Sequence, residues 1–289
     1  MDKKKSSVGS AVLLILLLLL GTWYRQHDGA KDGLEQVGSE LAEQVREPGV
    51  TIDPVSKQLR GLEIPYYLAT EDNTIVEHMG YTLSYNHSRR IPNWVAYELL
   101  DSELYGDFDR AEEFKPDPDI KGRQAYDSDY RGSGWDRGHM APSGDMKWSS
   151  QVQKECFYLS NICPQNHNLN SGVWNDLEKQ IRYEARYYKK LWVVCGPVVE
   201  RNRYGTIGSN KVVVPDGFFK ALLAQRRNGK YVSIGFYFPN ESGTAPLASY
   251  AMSVDDLEDL VGMDLFYNLD DNVQDGVEAV FDPADWKID

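Results

Sequence analysis

Phe157-Tyr158-Leu159-Ser160-Asn161-Ile162-Cys163-Pro164 reads as a short strand, and Gln165-Asn166-His167-Asn168-Leu169-Asn170 turns the chain toward Trp174-Asn175-Asp176-Leu177-Glu178. The aromatic and aliphatic residues of 157–163 favour extended backbone, which Pro164 closes. Beyond the asparagine-rich turn the period changes. At about 100° per residue, Trp174, Leu177, Ile181, Ala185 and Tyr188 fall on one stripe, which predicts an amphipathic helix with Glu178 and Arg182 along its edge. Asn170 precedes that helix and projects to the same side.

The flanks extend the pattern. Residues 81–85 are strand-like, residues 92–100 lead into a loop rich in Asp, Gly and Pro that runs to about Gly134, and residues 192–195, 211–214 and 231–238 are further strand candidates. Ser253, with Asp255 and Asp256 behind it, caps a helix running to about Val261. Strands and helices mix without regular βαβ alternation. The expected class is therefore α+β, with a mixed, mostly antiparallel sheet core and flanking helices.

The chain has 289 residues, 42% of them hydrophobic, which is enough to bury a core. Its formal net charge of −13 argues against a protein that coats nucleic acid by phosphate neutralisation. It permits an enzyme that gathers a few cations in one cleft and must release its product. Lys3, Lys4 and Lys5 precede an apolar run from Ala11 to Leu20. Residues 1–24 are accordingly expected to be a signal peptide or N-terminal membrane anchor that places the remainder outside the cytoplasm: periplasmic, membrane-anchored or secreted. Residues 25–60 are polar and short of aromatics, which suits a linker, and residues 61–289 are expected to form the folded domain. Three cysteines allow at most one internal disulfide, and Cys163 and Cys195 lie in apolar runs where a small buried thiol is the expected use.

Of the five histidines, His27, His78, His87, His139 and His167, one has distinctive neighbours. His139 lies in Ser133-Gly134-Trp135-Asp136-Arg137-Gly138-His139-Met140, with glycines for close backbone approach and a guanidinium two positions away. An imidazole able to take a proton from water, beside an arginine able to meet a phosphate, is the minimum set for hydrolysing a phosphodiester. Downstream, an Asn amide oxygen and the nearby Glu178 suit a hard cation that keeps most of its waters. The plain alternative is an asparagine-rich turn followed by a helix in which Glu178 and Arg182 form an ordinary i,i+4 pair.

Together with Pro92-Asn93-Trp94-Val95-Ala96-Tyr97, Leu177-Glu178, Val254-Asp255-Asp256-Leu257-Glu258 and Gly262-Met263-Asp264-Leu265-Phe266, these motifs resemble the DNA/RNA non-specific endonuclease family over residues 64–269. The resemblance implies a ββα-metal active-site motif and hydrolysis of DNA and RNA with little sequence specificity, leaving 5′-phosphate ends. It implies that His139 is the general base, that Asn170 is the one direct protein ligand of Mg²⁺ (Mn²⁺ or another divalent cation as substitute), and that Glu178 orients a water on that cation. Arg137 and Arg182 would stabilise phosphate charge, with Arg110 a further phosphate contact and Asn161 on the substrate side. His167 is expected to serve the loop or the substrate rather than the cation. The family also carries an expectation of homodimers, with no inhibitor identifiable. The alternatives are a narrower-substrate or toxin-like phosphodiesterase, or an exported nucleic-acid-binding protein on the same scaffold.

Overall fold

The computed structural model describes residue 59 and residues 61–288, residue 69 excepted. The expected targeting segment 1–24 and nearly all of the linker 25–60 lie outside the described residues. In chain order the strands are β1 (Asn73–Glu77), β2 (Thr82–Asn86), β3 (Ile91–Leu100), β4 (Asp136–His139), β5 (Ile162–Gln165), β6 (Lys190–Val198), β7 (Thr206–Ile207), β8 (Val212–Val213), β9 (Gly217–Gln225), β10 (Tyr231–Pro239) and β11 (Ala251–Met252). The α-helices are α1 (Asp127–Tyr130), α2 (Ser150–Glu155), α3 (His167–Ser171), α4 (Val173–Tyr188), α5 (Val254–Val261), α6 (Asp271–Glu278) and α7 (Pro283–Trp286).

Seven strands form one sheet in the order β1-β2-β3-β6-β9-β10-β11, and each neighbouring pair in it is antiparallel. The central strands explain its two-sided packing. Along β9 every residue from Gly217 to Ala224 is buried, because helices or loops cover both faces. Phe218, Leu222 and Ala224 join Leu191, Val193 and Cys195 in one core, while Phe219, Ala221 and Leu223 join Trp192 and Val194 in the other. At roughly 1.5–3 kcal/mol for each large side chain fully buried, these two layers dominate the stabilisation. Helix α4 lays Trp174, Leu177, Ile181 and Ala185 on the first core, as the periodicity predicts, and α5 lays Val254 and Leu257 on the second. Ser253 caps α5 by accepting from the Asp256 N–H at 3.1 Å.

A separate two-stranded ribbon carries the residues singled out above. β4 pairs antiparallel with β5, matching Asp136 to Gln165, Arg137 to Pro164, Gly138 to Cys163 and His139 to Ile162. The chain then enters α3 and α4, giving a ββα unit. Gly138 is required because a Cβ there would collide with the Gln165 side chain. Gly172 divides α3 from α4 at φ −101° and ψ −118°, where a Cβ would collide with the Asn168 carbonyl. Asn170 consequently sits on a short helix of its own.

The strand expected over 157–163 forms later, at 162–165, and Pro164 lies within it rather than closing it. A ribbon of two strands leaves each with a free edge, which tolerates the missing N–H. Residues 159–161 instead make a 3₁₀ turn, and Asn161 accounts for it. Its amide nitrogen donates to the carbonyls of Ala141 (2.9 Å) and Cys156 (2.8 Å), and its amide oxygen accepts from the Ala141 N–H (2.9 Å). Such bonding competes with a strand ladder. Asn161 is fully buried with both ends of its amide engaged, so the expected substrate contact is corrected to a structural latch. Cys156, Cys163 and Cys195 are all buried free thiols.

Asn161→Ala strands two buried carbonyls and one N–H, each costing roughly 1–3 kcal/mol. Urea denaturation is expected to show a loss of roughly 3 kcal/mol or more. The substrate KM of the folded fraction is expected to stay at the wild-type value. Unchanged stability with a raised KM would return Asn161 to the substrate.

Candidate active site

β4 delivers Asp136 and His139 from its two ends, and α3 and α4 deliver Asn170 and Glu178. Among the described residues the other histidines are committed. His78 bonds Asp117 at 2.9 Å, His87 bonds Thr74 at 2.7 Å and His167 bonds Asp136 at 2.9 Å. His139 differs. It is 7% exposed, its ring lies between Phe114 and Phe157 with centroids 5.5 and 4.7 Å away, and its Nε2 is buried without a hydrogen-bond partner. Burial, helped by the nearby Arg110 charge, pushes this imidazole down to about 3, so it is neutral at physiological pH. An orphaned buried nitrogen normally costs stability and marks a place where a ligand or water belongs.

Asp136, to which the motif alone assigns no role, is the residue that holds Asn170. Its Oδ2 accepts from Asn170 Nδ2 at 2.9 Å, which leaves the amide oxygen of Asn170 as the uncommitted pole. The same Oδ2 meets His167 Nδ1, placing His167 as a second prop on the loop. The signal was present in the motif itself: Asp136 pairs with Gln165, which ends β5 just before the asparagine-rich turn, so its carboxylate has to emerge there.

Glu178 does not pair with Arg182 as the plain reading has it. Arg182 donates to the buried Asp145 at 2.8 Å, and Asp145 also accepts from Tyr97 Oη at 3.0 Å. Burial pushes the Glu178 carboxyl up to about 7; Lys220, Arg182 and Arg110 oppose that rise and Asp145 adds to it. Lys220 is the second residue missed. It is fully buried on β9, with its ammonium 4.4 Å from the Trp174 ring centroid and 3.4 Å from the Met140 carbonyl. A lysine inside an otherwise apolar strand is itself the clue, because burying an ammonium demands nearby compensation.

The three arginines divide. Arg137 is held by Asp127 at 2.6 Å and lies over Phe114 and Tyr130, and Arg182 is held by Asp145. Arg110 is exposed, stacks on Phe157 at 4.8 Å and has no ion pair among the described residues. Its guanidinium is the most available to an incoming anion.

The donor set fits a divalent cation. Asn170 offers an uncommitted amide oxygen, and Glu178 offers a carboxylate that burial penalises until positive charge stands beside it. Hard oxygen donors of this kind select Mg²⁺-like ions over the softer metals.

Residues 62–272 match the family described as DNA/RNA non-specific endonuclease. The human mitochondrial nuclease EXOG is 40% identical over 209 residues, covering 67% of this chain and 57% of that protein. Human mitochondrial endonuclease G is 35% identical over 196 residues (63% and 66%), and a Nostoc nuclease is 32% identical over 227 residues (74% and 80%). The match thus spans little more than half the length of human EXOG. Among solved structures, a chain of the EndoG/EndoGI complex superposes with a TM-score of 0.65 at 29% identity, covering 69% of this chain and 88% of that one. The mitochondrial relatives overturn the extracytoplasmic location expected from residues 1–24. Basic residues before an apolar run mark a targeting segment without naming the membrane it addresses. With the family match, the relatives and the ββα unit in agreement, the chain belongs to the DNA/RNA non-specific endonuclease family.

Proposed function

We propose that this protein is an endonuclease hydrolysing phosphodiester bonds of DNA and RNA with little sequence specificity, with His139 as general base and Mg²⁺ at Asn170. The observation that carries the reading is the buried, neutral imidazole with an unpartnered Nε2, on the same short strand whose first residue orients Asn170. When bound, the cation polarises a phosphoryl oxygen and stabilises the leaving 3′-oxygen. His139 accepts a proton from the attacking water as the bond from phosphorus to the 3′-oxygen breaks, so the phosphate remains on the 5′-carbon of the downstream fragment. Glu178 accepts a hydrogen bond that orients water near the cation. Arg110 meets the phosphate first, and Arg137 and Arg182, aimed by Asp127 and Asp145, balance charge as it builds.

The similarity to EXOG and endonuclease G supports a mitochondrial location, for which residues 1–24 would serve as a targeting segment or membrane anchor. A homodimer is part of the same proposal, as is control by an inhibitor protein, the latter supported by the EndoG/EndoGI complex.

Purified protein is expected to degrade both plasmid and RNA in Mg²⁺ and neither in EDTA. Survival of both polymers in Mg²⁺ would refute the reading, and loss of one alone would narrow it to a more selective phosphodiesterase. His139→Ala is expected to lower kcat by roughly 10²–10⁴-fold, the range for losing a general base. Near-normal turnover would remove His139 from that role.

Glu178 supplies a test independent of activity. Its folded value of about 7 lies above the ordinary 4.5, so folding disfavours the ionised form. The penalty is absent at low pH, grows between those two values and is complete above them. In EDTA, Glu178→Gln is expected to stabilise the protein at pH 8 by up to about 3 kcal/mol, with the gain disappearing near pH 4. Denaturant titrations at the two pH values check this, and a pH-independent difference would contradict it.

A further inference from the structure

On the sheet face away from His139, α5 and α6 both pack against β10, and Leu257 and Val277 enter the second core. Asp255 and Glu258 are three residues apart on α5, hence on one side of it, and Glu278 is the last residue of α6. One carboxylate oxygen from each of these three lies within 4.8 Å of the others. Glu278 is 2% exposed, and its Oε1 is buried without a hydrogen-bond partner. Acidic clusters are common where water can screen them. Here one member has been taken out of water beside two other carboxyl groups, with no hydrogen-bond donor at its Oε1.

The surroundings are rigid. Glu258 Oε1 accepts from the Leu265 N–H at 2.6 Å, and Gln274 donates to Asp264 at 2.7 Å and to the Leu265 carbonyl at 3.1 Å. Ser233 on β10 donates to the Val277 carbonyl at 2.7 Å, next to Glu278. These bonds tie both helices and the segment between them to their surroundings.

We propose that Asp255, Glu258 and Glu278 hold a structural Ca²⁺ ion that ties α5 to α6, separate from the cation at Asn170. The all-oxygen, all-carboxylate donor set excludes a thiolate or imidazole metal. Ca²⁺ accepts six to eight oxygens in flexible geometry and takes carboxylates in one- or two-oxygen fashion, whereas Mg²⁺ demands a near-ideal octahedron and retains its waters. A binding contribution from this site is structural, because it joins two elements on the face that carries none of the proposed catalytic groups.

The test is thermal unfolding of the full chain in millimolar Ca²⁺ and in EDTA. Ca²⁺ at a hundredfold excess over Kd is expected to raise Tm by roughly 5 °C. Asn170→Ala is expected to keep that rise and to bind one Ca²⁺ by calorimetric titration. Glu278→Gln and Asp255→Asn are expected to lose both. Should Glu278→Gln fail to fold, Asp255→Asn, at a partly exposed ligand, gives the answer alone. Absence of the rise in Asn170→Ala, or its persistence in Asp255→Asn, would overturn the proposal and leave a shared proton as what neutralises the cluster.

Discussion

The register of β4 against β5 is the constraint on which the rest of the site depends. Side chains alternate along a strand, so a slip of one residue would exchange every side chain between the two faces of the ribbon. In the observed pairing Asp136 reaches Asn170 and His167 on one side, while Arg137 and His139 both meet Phe114 on the other. The pairing is held at one end by Gly138, where Gln165 occupies the space of a side chain, and at the other by Asn161, which binds the chain just after His139. Two uncharged residues thereby hold the strand that presents Asp136, Arg137 and His139.

What was legible in the sequence was local. The stripe Trp174, Leu177, Ile181 and Ala185, the cap at Ser253 and the α+β mixture follow from spacings of a few residues, and all appear in the structure. His139, Asn170 and Glu178 stand out in the sequence because their residue types and motif spacing suit metal-assisted hydrolysis, and the resemblance supplies each with its expected role. The partners were not legible, because the fold brings them from a distance. Asp145 reaches Arg182 across 37 positions, and Asn161 reaches Ala141 across 20. Lys220 stands in an apolar run, and its neighbours, the Trp174 ring and the Met140 carbonyl, come from other parts of the chain.

Acidic residues explain how a chain of net charge −13 can still confront a polyanion. Asp127 is shared between Arg131 and Arg137 and Asp145 holds Arg182, fixing direction at the expense of free positive charge. Arg110 alone of the three retains an open guanidinium, which under the proposed function separates initial capture of a phosphate from its later charge balance.

The three buried thiols bear on chemistry outside hydrolysis. Cys195 donates to the Met140 carbonyl at 3.3 Å, directly beside the histidine strand, yet burial pushes its thiol up to about 11 and that of Cys156 up to about 12. Only the thiolate reacts readily with peroxides or disulfides, and at neutral pH almost none is present. The centre of this protein is therefore insulated from oxidants by protonation as well as by burial.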